Sequence, residues 1–191
     1  MVEREPVPVY YKQEDAITDG KLSLSQKEIE GRNINMQPTP PHVIYANVDD
    51  FGEIYSDDFT FETSIENDYH EGAAACQQST VYILCKGTAI WIPFSTKGCV
   101  ANLDMYFAGY QVSGKQTDLS MFGADFNDYI PLKITSHAGK AEVFVNNKLV
   151  YTIDKKIDRA KIIGVLYRFE GTGAVDYVRL KSDKVNYDEE F

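Results

Sequence analysis

The clearest periodicity along the chain is a repeat of two. Across Asp57–Glu66, Phe59, Phe61 and Ile65 fall on one side and Thr60, Glu62, Ser64 and Glu66 on the other. That alternation marks a half-buried strand. No stretch of comparable length carries a 3.6-residue apolar stripe; Ser25–Glu30 offers only a turn or so of helix. Short strands are also expected at Gly20–Leu24, Arg32–Met36 and His42–Val48, with Gln37–Pro41 as a connector because proline lacks the ladder donor.

The middle of the chain allows register to be tested. With Val81–Cys85, Thr88–Phe94 and Cys99–Phe107 as a meander turning at Lys86-Gly87 and Ser95–Gly98, Ile83 faces Ile90 and Val81 faces Ile92. In the same register Phe94 faces Cys99, Ile92 faces Ala101 and Ile90 faces Leu103, so one face is uniformly apolar. A one-residue slip at the first turn pairs Val81 with Trp91 and mixes the faces, which disfavours it. A second meander joins Ile130–His137, Lys140–Val145 and Lys148–Ile153 through Ala138-Gly139 and Asn146-Asn147, the latter suited to positive φ. It aligns Leu132, Ile134, Val143, Val145 and Val150 and leaves Phe144, Leu149 and Tyr151 as an outward apolar patch. Ile162–Phe169 and Ala174–Leu180 complete the set, and Tyr110–Asp128 reads as a surface loop. Many short strands punctuated by turns predict an all-β, two-sheet antiparallel sandwich. Residues 1–19 read as an extended lead-in, 20–182 as one sandwich domain and 183–191 as a loose acidic tail.

Composition narrows the partners. The 191 residues carry a formal charge of −10, which disfavours phosphate backbones and anionic membrane surfaces. No run is long and apolar enough to span a bilayer. The start, Val2-Glu3-Arg4-Glu5-Pro6, lacks a signal-peptide pattern. Cys76, Cys85 and Cys99 are odd in number and fit no metal or redox spacing, so no disulfide framework is expected; Cys85 and Cys99 read as small core residues.

The stretch Leu132–Tyr151, with Val143-Phe-Val145, an Asn-led turn and Lys148-Leu-Val150, resembles a hairpin of laminin G-like and concanavalin A-like domains. Gly173–Leu180 is similar to their closing strand, and Asp57–Thr63 to their early acidic-phenylalanine strand. The resemblance touches about a quarter of the chain and implies a jelly-roll sandwich. It implies carbohydrate as a frequent ligand and an extracytoplasmic setting, at the periplasm or cell surface. Fold alone does not fix function.

Catalytic signatures of such folds do not surface. Retaining glucanases need a strand that sets two carboxylates about 5–5.5 Å apart; Glu53–Asp58 is acidic but turn-like and reads as a solvated loop. Tyr106–Gln111 has some likeness to one strand of alginate-lyase-type sandwiches, but the partner motifs are missing. His42, His70 and His137 stand apart from any ligand spacing. No cofactor is implied, though calcium held by scattered carboxylates and carbonyls would leave no linear motif. The most suggestive feature is the outward face of the first meander. There Tyr82 opposes Trp91, Trp91 opposes Asn102, and Asp104 and Tyr106 follow. Aromatic faces take the C–H face of a sugar, while amide and carboxylate bond its hydroxyls. The plainer account is that Trp91 packs beneath another segment. The expectation is a non-catalytic binding or accessory module for carbohydrate. A hydrolase or lyase with a dispersed site is one alternative. A protein–protein module using Phe144, Leu149 and Tyr151 is another.

Overall fold

The computed structural model describes residues 9–10, 17–18, 21–24, 42–47, 51–68, 76–124, 128–170 and 172–191. The expected strand at Arg32–Met36, the connector Gln37–Pro41, the turn Ser25–Glu30 and His70 lie outside the described residues. In chain order the strands are β1 (Val9–Tyr10), β2 (Ile17–Thr18), β3 (Lys21–Leu24), β4 (His42–Asn47), β5 (Phe59–Asp68), β6 (Gln78–Cys85), β7 (Thr88–Thr96) and β8 (Asp104–Phe107). They continue as β9 (Tyr110–Ser113), β10 (Gly123–Ala124), β11 (Ile130–His137), β12 (Lys140–Val145), β13 (Lys148–Ile153), β14 (Ile162–Glu170), β15 (Thr172–Lys181) and β16 (Asn186–Glu190).

Two sheets result, as the alternation predicts. Sheet A runs β1-β4-β14-β6-β7-β8-β9, with β10 beside β7; sheet B runs β13-β12-β11-β5-β15-β3-β2, with β16 beside β15. Pairing is antiparallel except for the short parallel contacts β1–β4 and β10–β7. Phe61, Ile65, Ile134, Val143 and Leu180 of sheet B meet Ile83, Ile90, Ile92, Phe94, Phe107 and Phe169 of sheet A in one buried layer. This is the two-sheet antiparallel sandwich that the resemblance to concanavalin A-like domains implied.

The second meander folds in the predicted strands and turns, with Ala138, Gly139, Asn146 and Asn147 all at positive φ. The β6–β7 register is also the predicted one, Ile83 against Ile90 and Tyr82 against Trp91. Gly87 takes φ 83° at that turn, so Lys86 needs no positive φ. The third strand of this meander departs from expectation. A 3-10 turn at Val100–Asn102 precedes β8, and Ile90 pairs with Phe107 rather than Leu103. A four-residue displacement is even, so Leu103, Met105 and Phe107 still face the core.

Three further expectations are corrected. The acidic end is not loose. β16 pairs with β15, Arg179 binds Asp188 at 3.0 Å and Glu190 at 2.7 Å, and Phe191 is buried. Asp188 and Glu190 alternate with Tyr187 and Phe191, so these two carboxylates face Arg179 while the rings pack inward. Tyr110–Asp128 is not simply a surface loop. β9 lies within it, β10 runs beside β7, and Leu119, Phe122 and Ala124 are buried. Finally, Cys99 is not a free core thiol; it is bonded to Cys76, with Cα atoms 5.4 Å apart. Cys85 remains free and buried, and desolvation pushes its thiol up to about 12.

One buried polar link ties the sheets together. The Thr63 hydroxyl on β5 donates to the Tyr177 carbonyl at 2.7 Å and lies 2.8 Å from the Tyr167 hydroxyl on β14. Thr63 has a single hydroxyl proton, so Tyr167 must be the donor to it. The Tyr177 carbonyl falls where the β15–β5 register shifts between Val175 and Val178; the side chain replaces the missing ladder partner. Thr63→Val should therefore destabilise by about 2 kcal/mol and Tyr167→Phe by about 1 kcal/mol, read as shifts in the urea midpoint. Reduction, or Cys76→Ser with Cys99→Ser, opens a bridge that spans 23 residues. It should lower stability by about 3 kcal/mol, while Cys85 stays unreactive to iodoacetamide until the protein unfolds.

Candidate functional site

The outward side of sheet A carries a continuous cross-strand row: Leu166 on β14, Tyr82 on β6, Trp91 on β7, Tyr106 on β8 and Gln111 on β9. Trp91 and Tyr106 stack at 4.5 Å between centroids with planes 21° apart; Tyr82 lies 6.3 Å from Trp91, tilted by 49°. Adjacent strands are about 4.8 Å apart, so rings at 4.5 Å on neighbouring strands stand upright with their faces toward each other. Their edges point to solvent. The face of Tyr106 away from Trp91 is turned toward β9 and Gln111, which is exposed.

Trp91 is half-buried, and its indole N–H donates to the Asp104 carbonyl at 3.0 Å. It acts as the central plate of the row, and its polar atom is already occupied. The Asp104 carboxylate at the start of β8 is exposed, as is Asn102. Asn102 does not oppose Trp91. The four-residue displacement gives that place to Tyr106 and moves Asn102 onto the 3-10 turn. The structure thus brings Tyr82, Trp91 and Tyr106 together on one face, with Asp104 and Asn102 in the turn leading into β8.

That turn is held from two sides. The Cys76–Cys99 bridge anchors its start, and the Thr96 amide donates to the Gln77 carbonyl at 3.2 Å. On its other side, a Cβ at Gly114 would lie 2.6 Å from the Val100 carbonyl oxygen and 2.9 Å from that of Leu103. Glycine is what lets the backbones approach so closely.

The outward side of sheet B is different in kind. Lys133 pairs with Glu62 at 3.1 Å, Arg179 with Asp188 and Glu190, and Lys140 with Glu142. Such exposed pairs contribute little to stability, but they close the charges on one another. The expected apolar patch here is smaller than predicted. A bulge between Val143 and Phe144 sets Tyr151 opposite the buried Val143, so Tyr151 packs against the core instead of joining Phe144. Leu149 stays 51% exposed beside Phe144.

A second polar cluster, drawn from three separated segments, escaped sequence reading. Glu53–Asp58, read above as a solvated loop, is pinned by buried Ser56, whose hydroxyl donates to the Asp158 carbonyl and accepts the Ala160 amide at 2.8 Å. The Arg159 guanidinium lies 3.8 Å from the centre of the Tyr55 ring and donates to Asp57 at 2.7 Å; the Tyr55 hydroxyl donates to Glu53. His137 Nδ1 and Asp58 Oδ1 are 2.9 Å apart. The hydrogen bond and charge of Asp58 raise the His137 pKa above its ordinary value. Among the described residues no group of three or more His, Cys, Asp or Glu side chains is placed to hold a metal ion.

No protein-family model and no curated protein sequence matches the chain. Solved structures with a similar course include carbohydrate-binding module CBM66 from Bacillus subtilis. It is 14% identical, with a TM-score of 0.46, over 68% of this chain and 78% of that one. The Bacillus licheniformis β-glucanase is 12% identical, with a TM-score of 0.43, over 81% and 74%. The alginate lyase from Corynebacterium sp. is 12% identical, with a TM-score of 0.42, over 72% and 62%. Likenesses this distant assign no function.

The His137–Asp58 pair can be checked directly. A pKa raised in the folded state means that the pair's stabilisation is present below the unfolded histidine pKa and is lost as pH rises through the folded value. NMR titration of the His137 ring should give a midpoint above that of an unstructured histidine. In Asp58→Asn the midpoint should fall back toward it.

Proposed function

We propose that this domain is a non-catalytic binding or accessory module for carbohydrate, contacting its ligand through the outward face of sheet A. The observation that carries the reading is the stacked Trp91–Tyr106 pair on a face flanked by exposed Asn102, Asp104 and Gln111. Ring faces accept the C–H side of a sugar, and the carboxylate and amides can bond its hydroxyls. The contrast between the two outer faces supports the assignment: sheet B carries the ion pairs Lys133–Glu62 and Arg179–Asp188, whereas the Tyr82–Trp91–Tyr106 row lies across sheet A.

The geometry redistributes roles among these residues. Trp91 is covered on one face by Tyr106 and gives its N–H to the backbone. In this reading it supports Tyr106, whose other face meets the ligand, and hydrogen bonding falls to Asn102, the Asp104 carboxylate and Gln111. The Cys76–Cys99 bridge supports an oxidising, extracytoplasmic setting, where such bonds persist.

The test is a glycan array probed with wild type, Tyr106→Ala, Trp91→Ala and Trp91→Phe, each checked by circular dichroism and run with and without calcium. Tyr106→Ala and Trp91→Ala should each weaken binding by about tenfold or more, while Trp91→Phe should retain most of it. Absence of wild-type binding, or binding that survives both alanine variants, would remove the proposal. Dependence on calcium would add a metal to the site.

A further inference from the structure

The register of sheet B builds a second polar site that the aromatic row does not touch. Lys181 on β15, Thr60 on β5 and Thr135 on β11 occupy one outward cross-strand row. Continuing each segment by two residues, past the end of that row, gives Asp183, Asp58 and His137, and the His137–Asp58 contact at 2.9 Å confirms the alignment. These six residues, two from each of three adjacent segments, line a cavity of about 300 Å³. By strand spacing and rise the patch is roughly 10 Å wide and 7 Å long. A volume of this size is at the lower end of ligand pockets, which suits one small ring.

Elsewhere on this face Lys133, Lys140 and Arg179 close on carboxylates. Here, among the described residues, the side chains of Thr60, Thr135, Lys181 and Asp183 form no hydrogen bond or ion pair. Lys181 supplies donors only, Asp183 acceptors only, and the two hydroxyls both. An adjoining cavity of about 210 Å³ shares Asp58, Ser182 and Asp183 and adds Glu53, Tyr55, Arg159 and Lys184. Across the two cavities and the groups paired to them, the carboxylates Asp57, Asp58, Asp183 and Glu53 are balanced by Arg159, Lys181, Lys184 and Lys161. In a chain of net charge −10 this end of the sandwich is locally neutral. In the first cavity itself an anion would have to sit beside Asp58 and Asp183, and a cation beside Lys181. Alternating fixed donors and acceptors instead match vicinal hydroxyls, each of which can give and take a hydrogen bond.

We propose that the cleft bounded by Thr60, Thr135, Asp58, His137, Lys181 and Asp183 is a second binding site, taking a single neutral sugar ring. It shares a ligand class with the aromatic row but none of its residues.

The experiment is a two-dimensional ¹H–¹⁵N NMR titration of the full chain with glucose, galactose and mannose separately. Glucuronate serves as the charged probe and glycerol as an unspecific polyol. A saturable shift with at least one hexose should cluster on the amides of Thr60, Thr135, His137, Lys181 and Asp183, and glycerol should not reproduce it. Thr135→Val and Asp183→Asn, both on the outward face, should weaken that response by about tenfold with unchanged circular dichroism. Three results would overturn the proposal: no saturable shift at these amides with any hexose, the same shifts with glycerol, or saturation by glucuronate alone. Shifts confined to the Trp91 indole and Tyr106 would also refute the second site while leaving the sheet A reading standing. Shifts confined to the cleft would do the reverse.

Discussion

The alignment of the two sheets depends on the hydroxyl of Thr63. Apolar packing is non-directional and would tolerate some sliding of one sheet across the other. The Tyr167–Thr63–Tyr177 link does not, because any slide strands a phenol or a carbonyl in a medium where unpaired polar groups are costly. A second buried link, from Gln77 to Asn67 at 2.9 Å, repeats the device toward the other end of β5. Between them these contacts fix how β5 lies over β14 and β6, and hence where the strand ends of sheet B meet the loops of sheet A.

From that alignment the outer faces inherit their character by parity alone. Every side chain that does not point into the core points out, two residues apart, so a register creates a row of outward groups without further instruction. On sheet A this generates Leu166, Tyr82, Trp91, Tyr106 and Gln111 in line. On sheet B it generates Arg179 beside Glu62 and Lys133, and one row further Lys181 beside Thr60 and Thr135. The same rule produces an ion-paired surface, an aromatic surface and a polar cleft because the residues at those positions differ.

Much of this was legible in the sequence wherever partners lie close along the chain. The β11–β12–β13 meander and the β6–β7 hairpin follow from local alternation and turn residues. The β7–β8 displacement could not be detected by the same reasoning, because an even shift leaves the apolar face intact and only the outward partner of Trp91 changes. Alternation alone puts Tyr151 outward, but one bulged residue reverses parity beyond it. The acidic end disguises its strand because three consecutive carboxylates at 188–190 mask the alternation carried by Tyr187 and Phe191. The cleft of Asp58, Thr135, His137 and Lys181 is assembled from distant segments, and no spacing along the chain announces it.

The position of the bridge relative to its hairpin bears on which thiols can pair. Three cysteines allow three pairings, and only one is compatible with the β6–β7 ladder. Cys85 pairs with Thr88 at the closed end of the hairpin, while Cys76 and Cys99 flank its open end beside Gln78 and Ser95. The eight residues of β6 alone set Cys85 about 24 Å from Gln78, at the end of the strand next to Cys76. The hairpin holds Cys85 in the core, out of reach of both other thiols, and sets Cys76 and Cys99 within bonding distance. In the folded hairpin the native bridge is therefore the one pairing of the three thiols that chain geometry permits.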